Sequence, residues 1–266
     1  MATETVIYTN GTSLQASKPS VNAYAGKPVD IAADAQRVFE VLKDGGLAIV
    51  PADIGYGLVA IDPKALERAF VTKQRQPHKR HAMIGSFALH KELHVLPERE
   101  AKMVELLTQD IDLPLGVIAP LKADHPIVQK LGSETLARSS VDGTFAMLVN
   151  GGKFQDELVR LSSEAGLPLM GSSANLTGKG TKSLVEDIEP EILAVADIVL
   201  DYGKRKYSYP RPSSTMIDFR NVEMMRFGAC YDVIQDVLKR FYDIRLPDDP
   251  GRESNFSGHL REAAKR

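Results

Sequence analysis

Residues 47–58 read Leu47-Ala48-Ile49-Val50-Pro51-Ala52-Asp53-Ile54-Gly55-Tyr56-Gly57-Leu58, a short apolar run that opens into a segment with two glycines around a tyrosine. The run is too short for a helix and is bounded by Gly45-Gly46 on one side and Asp53 on the other, so it reads as a buried strand. The carboxyl end of such a strand is where open α/β sheets hold ligands. Gly55 and Gly57 permit the backbone to approach a ligand closely.

Helical and strand signals alternate outward from this run. Asp30 caps a helix whose apolar residues Ile31, Ala35, Val38 and Leu42 fall on one face, and Gly45-Gly46 ends it. A second helix begins near Pro63 and buries Leu66, Ala69 and Phe70. Residues 98–108 read as helix, and residues 115–120 and 144–149 as strands. Phe154, Leu158, Leu161 and Ala165 make one face of a helix closed by Gly166. The next strand is expected at 167–170, followed by a loop, Gly171-Ser172-Ser173-Ala174-Asn175. Strands at 198–200, 215–219 and 222–227 precede a final helix around 233–241. Alternation of this kind predicts an α/β fold with a twisted, largely buried mixed sheet and flanking helices. The last strands are joined without helices and are expected to be antiparallel. Residues 1–28 read as an N-terminal arm, 29–242 as a single domain and 243–266 as a C-terminal tail.

Composition is that of a globular chain: 266 residues, 43% hydrophobic and 26% charged. No apolar run approaches the roughly 20 residues a membrane span needs. Residues 1–11 lack the basic-then-apolar build of a signal peptide, and the single cysteine, Cys230, reads as a core residue, so a cytoplasmic setting is expected. Net charge is −2, which gives no global attraction for nucleic acid. Two local basic stretches stand out, residues 73–81 and Lys204-Arg205-Lys206 with Arg211 close behind. On their own they read as solvated surface.

Several chemistries are excluded by motif. There is no phosphate-binding G-x-x-x-x-G-K-[ST] and no G-x-G-x-x-G after a strand. Ser172 and Ser173 follow a strand, but the G-x-S-x-G elbow of a serine hydrolase is missing. His90 and His94 have metal-ligand spacing without a third ligand nearby, and read as surface or partly buried structural residues. Three segments remain. The first is the 51–58 segment itself. The second is Lys73-Gln74-Arg75, where two cations one residue apart suit a polyphosphate. The third is residues 172–178, whose hydroxyls, amide and loop N–H groups suit phosphate or sugar oxygens, or simply cap a helix.

In order and spacing these segments resemble the YrdC-like family of threonylcarbamoyl-AMP synthases. That family carries P-T-[DE]-T-x-Y-G-L, then K-x-R, then S-A-N-x-[ST]-G, a late S-T-x-x-D strand and a terminal L-R-x-G. The counterparts here are residues 51–58, Lys73-Gln74-Arg75, Ser173-Ala174-Asn175-Leu176-Thr177-Gly178, Ser214-Thr215-Met216-Ile217-Asp218 and Met225-Arg226-Phe227-Gly228. The resemblance covers about residues 30–240. It implies a YrdC-like single-domain fold with a basic concave face, and an enzyme combining ATP, bicarbonate and a small amino acid into a carbamoyl-adenylate, with Mg²⁺ carried by the triphosphate. The product would feed tRNA modification. By position, Lys73, Arg75, Ser173, Asn175, Thr181, Ser214 and Arg226 are implied around the nucleotide, with Lys73 and Arg75 catalytic. Asp53, Tyr56, Ser214 and Leu148 are implied around the acceptor substrate.

The departures cluster. Both threonines of the first motif are replaced, by Ala52 and Ile54; the family's P-L-T reads Pro114-Leu115-Gly116; its A-V-R reads Ala146-Met147-Leu148; and the proline–leucine pair after K-x-R reads His81-Ala82. Polar groups are lost on the acceptor side, and a site stripped of its matching hydrogen bonds rejects its old ligand strongly. The expected acceptor is therefore an amine or amino acid other than threonine, or threonine bound in a different way. A non-catalytic module holding nucleotide or double-stranded RNA, and a domain that takes carbamoyl phosphate beside a partner protein, are the alternatives.

Overall fold

The computed structural model describes residues 6–9, 29–74 and 80–260. Its strands are β1 (Val6–Thr9), β2 (Leu47–Ala52), β3 (Gly55–Ala60), β4 (Ala82–Ile84), β5 (Leu115–Pro120), β6 (Ser140–Val141), β7 (Thr144–Val149), β8 (Met170–Ser173), β9 (Ile198–Asp201), β10 (Thr215–Asp218) and β11 (Glu223–Arg226). They join into one mixed sheet in the order β1-β9-β2-β3-β8-β4-β7-β5-β10-β11, with β6 paired to β7. The helices are α1 (Ile31–Lys43), α2 (Pro63–Thr72), α3 (Phe87–Leu93), α4 (Glu98–Glu105), α5 (Pro126–Gln129), α6 (Gly132–Ser139), α7 (Lys153–Glu164), α8 (Pro190–Val195) and α9 (Tyr231–Tyr242). None among the described residues is long and apolar enough to cross a membrane.

The 47–58 stretch forms a hairpin, with β2 and β3 antiparallel and Ala52 opposite Gly55 at its tip. It lies inside the sheet, flanked by β9 and β8, which is why its apolar run is continuous rather than alternating. The helix before it starts where expected: the Asp30 carboxylate accepts from the Ala33 N–H at 3.0 Å, and Ala35, Val38, Phe39 and Leu42 are buried. Helix α7 packs against α1. Residues 106–110 continue α4 as a π-helical turn, close to the expected 98–108 helix.

Three expectations give way. The strand after α7 begins at Met170, not at 167, because the chain leaves the helix through Gly166 in a left-handed conformation (φ 64°) and Leu167 still bonds back to Ser162 O. Gly171-Ser172-Ser173, loop-like in composition, are strand: Gly171 pairs with Val59 and Ser173 with Gly57. A Cβ at Gly171 would stand 2.9 Å from Val59 Cγ1 and 3.0 Å from Leu58 O, so close packing demands the glycine. Next, only β10 and β11 are the expected antiparallel neighbours. Strand β9 sits at the opposite edge between β1 and β2, and residues 202–214 cross over to bring β10 beside β5 in parallel. Third, His90 and His94 are fully internal, their Nδ1 atoms 2.9 Å apart. Burial lowers the first to about 4; burial and its neighbour's charge lower the second to about 3, so the pair is neutral at pH 7. Cys230 is half-buried in a left-handed conformation before α9.

Candidate nucleotide and acceptor site

Four backbone hydrogen bonds draw the separated motifs around the hairpin. Ala174 N–H donates to Tyr56 O at 2.8 Å, Tyr56 N–H to Lys182 O at 2.9 Å, Ser213 N–H to Ile54 O at 2.9 Å and Thr177 N–H to Lys73 O at 3.1 Å. The hairpin tip, the end of α2, the loop after β8, the 181–182 segment and the start of β10 thereby become one surface. Gly55 holds φ 137°, and a Cβ there would collide with Thr181 Cγ2, which fixes Thr181 against the tip.

Lys73 closes α2 and is only 2% exposed; its ammonium donates to the Ser173 carbonyl. Asn175 is 5% exposed. Its amide donates to Leu176 O at 2.5 Å, while Oδ1 is buried without a partner. A buried unpaired acceptor costs about 1–3 kcal/mol, so a donor from a ligand is the natural complement. Across the surface, Arg226 is fixed on Ser214, with Nε donating to its carbonyl at 3.0 Å and Nη2 to its hydroxyl at 2.9 Å. Arg75 lies outside the described residues.

The acceptor candidates separate from one another. Tyr56 is 1% exposed, and its hydroxyl is shared among Asp201 Oδ1 at 3.0 Å, Gly203 O at 2.7 Å and the Tyr202 N–H at 3.0 Å, which anchors the hairpin to the end of β9. Burial and the Asp201 charge push this phenol far above its usual range. Asp53 sits at the tip. Burial raises its carboxyl, while Arg205 at 3.5 Å and Lys206 at 3.8 Å pull it the other way. Ile54 is buried. Leu148 lies on the sheet, paired with Ile84 on one side and Gly116 on the other.

The basic stretch after β9 is only in part a solvated face: Lys204 and Lys206 are exposed, Arg205 and Arg211 are not. Arg205 turns inward, its Nε donating to Ala52 O at 2.9 Å. Arg211 is 3% exposed and holds Asp249 through two bonds, at 2.8 and 2.7 Å, and its guanidinium also donates to Asn255 O. The tail beyond it lies on the nucleotide side. Phe227 N–H donates to Gly258 O at 2.9 Å, Arg226 bridges His259 as a short antiparallel pair, and the Phe256 ring lies beside Gly180. Charge patterning alone could not find these partners, because Arg211 and Asp249 are 38 residues apart. A wide cleft of about 660 Å³ lies elsewhere, bounded by Ser86, Phe87, Asp112, Asn150 and Asp156, and among the described residues none of the implied nucleotide contacts lines it. Among the described residues no group of three or more His, Cys, Asp or Glu is placed to hold a metal ion.

Comparison with known proteins identifies the family of the chain. Residues 40–228 match the Sua5/YciO/YrdC family, described as "Telomere recombination". The chain belongs to that family, and its mixed α/β architecture is the YrdC-like fold. A Methanocaldococcus jannaschii protein named, provisionally, as a threonylcarbamoyl-AMP synthase is 26% identical over 181 residues, 66% of this chain and 78% of the relative. A hypothetical protein of Streptococcus mutans superposes with TM-score 0.65 at 23% identity, over 80% of this chain and 95% of its own. Sua5 of P. abyssi, solved with L-threonine, superposes with TM-score 0.63 at 19% identity, over 83% of this chain and 61% of its own.

Proposed function

We propose that the protein is a nucleotidyltransferase that forms a carbamoyl-adenylate from ATP, bicarbonate and an amino acid other than threonine, for use in tRNA modification. The amine and bicarbonate combine to a carbamate with loss of water. A carbamate oxygen then attacks the α-phosphorus of ATP, and the bond to pyrophosphate breaks. The chemistry concentrates negative charge on phosphate oxygens, and fixed cations around them lower the barrier. Lys73 and Arg226 are the described groups suited to that role, with Mg²⁺ entering on the triphosphate, held by phosphate oxygens and water. Ser173 and Ser214 stand beside these cations, and Asn175 Oδ1 is suited to a ribose or adenine donor.

The observation that carries the reading is the buried Lys73 ammonium on the Ser173 carbonyl, next to the partnerless acceptor of Asn175. The test is ATP- and bicarbonate-dependent pyrophosphate release across a panel of amino acids, with the adenylate identified by mass. Turnover with any member supports the reading, and robust turnover with threonine removes the altered-acceptor part of it. Nucleotide binding without pyrophosphate release from any acceptor overturns it in favour of a binding module, and a salt-dependent shift of double-stranded RNA would then identify the ligand.

A further inference from the structure

The register of the central strands sorts their side chains onto two faces. Ile84 pairs with Leu148, Leu148 with Gly116, Gly116 with Met216 and Met216 with Arg226. Cross-strand partners share a face, so these five make one continuous row. One residue along, Met83, Met147, Val117 and Ile217 make the matching row on the opposite face, and all four are fully buried core. Leu148 and Met216 are instead half-buried and stand outside the contiguous hydrophobic core, as does Ile118, which shares their face.

This row is apolar along its length and polar at one end. The end is Arg226 with Ser214, the cation and hydroxyl suited to phosphate. Space at Gly116 is tight: a Cβ there would stand 3.0 Å from Ser214 Oγ and 3.2 Å from Met216 Cβ. A side chain at 116 would therefore press on Ser214 and Met216, which would have to give by a few tenths of an ångström. The lost hydroxyl at 116 and the lost guanidinium at 148 are thus parts of one rebuilt surface.

We infer that this row is the acceptor subsite and that it takes an amino acid with an aliphatic side chain, its hydrocarbon lying on Ile84, Leu148 and Met216 and its carbamate directed at the Ser214–Arg226 end. The inference deepens the adenylate-forming reading and rests on it. A phosphate at Arg226 and an apolar body along the row match the layout of a carbamoyl-adenylate, whose acyl oxygen is bonded to phosphorus. Leucine carries two more side-chain carbons than threonine and brings no hydroxyl onto the apolar part of the row. Discrimination of about 10–100-fold follows from hydrocarbon burial alone.

Two measurements on the full-length protein test this. In the first, kcat/KM for pyrophosphate release is compared for leucine, norvaline, alanine and threonine. Leucine or norvaline exceeding threonine by about 10-fold or more, with that advantage removed in Leu148→Arg, is the expected result. Threonine equal to or better than the aliphatic acceptors, or an advantage untouched by Leu148→Arg, overturns the inference while leaving adenylate formation standing. In the second, methyl-labelled protein with ATP bound is titrated with leucine and followed by NMR. The Leu148 and Met216 methyl signals are expected to shift saturably while those of Met83 and Met147, on the other face of neighbouring strands, hold still. If no acceptor releases pyrophosphate, the adenylate-forming reading fails and the titration judges the row by itself: absence of saturable shifts at Leu148 and Met216 overturns it.

Discussion

The two ends of the candidate site are built by opposite means. At the nucleotide end three of the implied side chains are held by something else in the chain: Lys73 by the Ser173 carbonyl, Arg226 by both oxygens of Ser214, and Thr181 by the tip at Gly55. At the acceptor end Leu148 and Met216 are half-buried and lie outside the contiguous core. A site for a charged, invariant group such as a triphosphate needs donors fixed in advance, since their reorganisation would add to the barrier. A surface that recognises hydrocarbon needs only shape and dryness. Substitutions at the proposed acceptor end are therefore expected to disturb folding little, and this is the end that departs from the family's motifs.

The sharpest way to break the comparison is to remove the ammonium at the nucleotide end. Lys73→Ala is expected to lower kcat/KM for pyrophosphate release by about 10²–10³, the usual cost of deleting one fixed electrostatic group at such a site. Lys73→Arg is expected to restore little of it, because a planar guanidinium does not fit a buried niche shaped around a point charge and the Ser173 carbonyl. Pyrophosphate release measured alongside thermal unfolding separates lost chemistry from lost fold. A fall in activity no larger than for a surface lysine would end the distinction between the two regions.

The second test asks whether the tail belongs to the nucleotide end. Arg211→Met leaves Asp249 without its bidentate partner and frees the strap that reaches Arg226. Breaking a buried pair from one side costs about 3–5 kcal/mol; with Asp249 at the rim, about 2–3 kcal/mol is expected in urea unfolding, accompanied by a raised KM for ATP. The arginine holds the Asp249 carboxyl below its ordinary value of 3.8. A depressed carboxyl contributes stability above the unfolded value and loses it as pH falls through the folded one. The gap between the wild type and Arg211→Met should therefore narrow only below about pH 3.8, leaving the part due to the Asn255 carbonyl. An unchanged KM for ATP would detach the tail from the site.

How much of this was legible follows the same division. Strands such as Thr144–Val149 and Leu115–Pro120, and the Asp30-capped helix, are local and were readable from apolar runs and caps. The place of Met170–Ser173 in the sheet was not, because its glycine and serines record a close approach by β3 rather than any preference of their own. Of the site, Lys73, Asn175 and Arg226 stood out as motif residues, while their linkage through Ala174–Tyr56 and Ser213–Ile54 is backbone pairing that leaves no mark on composition. Arg211 looks like solvated surface in the sequence for a related reason: its partner comes from the distant tail. Gly116 was noticed as a lost hydroxyl, yet only the proximity of Ser214 explains it.

The smallest expected effect is the most discriminating. Leu148→Ala removes three side-chain carbons that the structure leaves half in water and outside the core. Truncating a buried leucine typically costs 2–5 kcal/mol, most of it from the cavity left behind. At an open surface no cavity forms, and only the transfer of already part-hydrated carbon is lost, so a change below about 1 kcal/mol is expected. Met147→Ala, one position away on the opposite face, is the control, since Met147 is fully buried and should show the full penalty. Urea unfolding of the two variants gives the comparison directly. If Leu148→Ala destabilises as much as Met147→Ala, then Leu148 is core after all, and the row from Ile84 to Arg226 is packing rather than a surface left open for an acceptor.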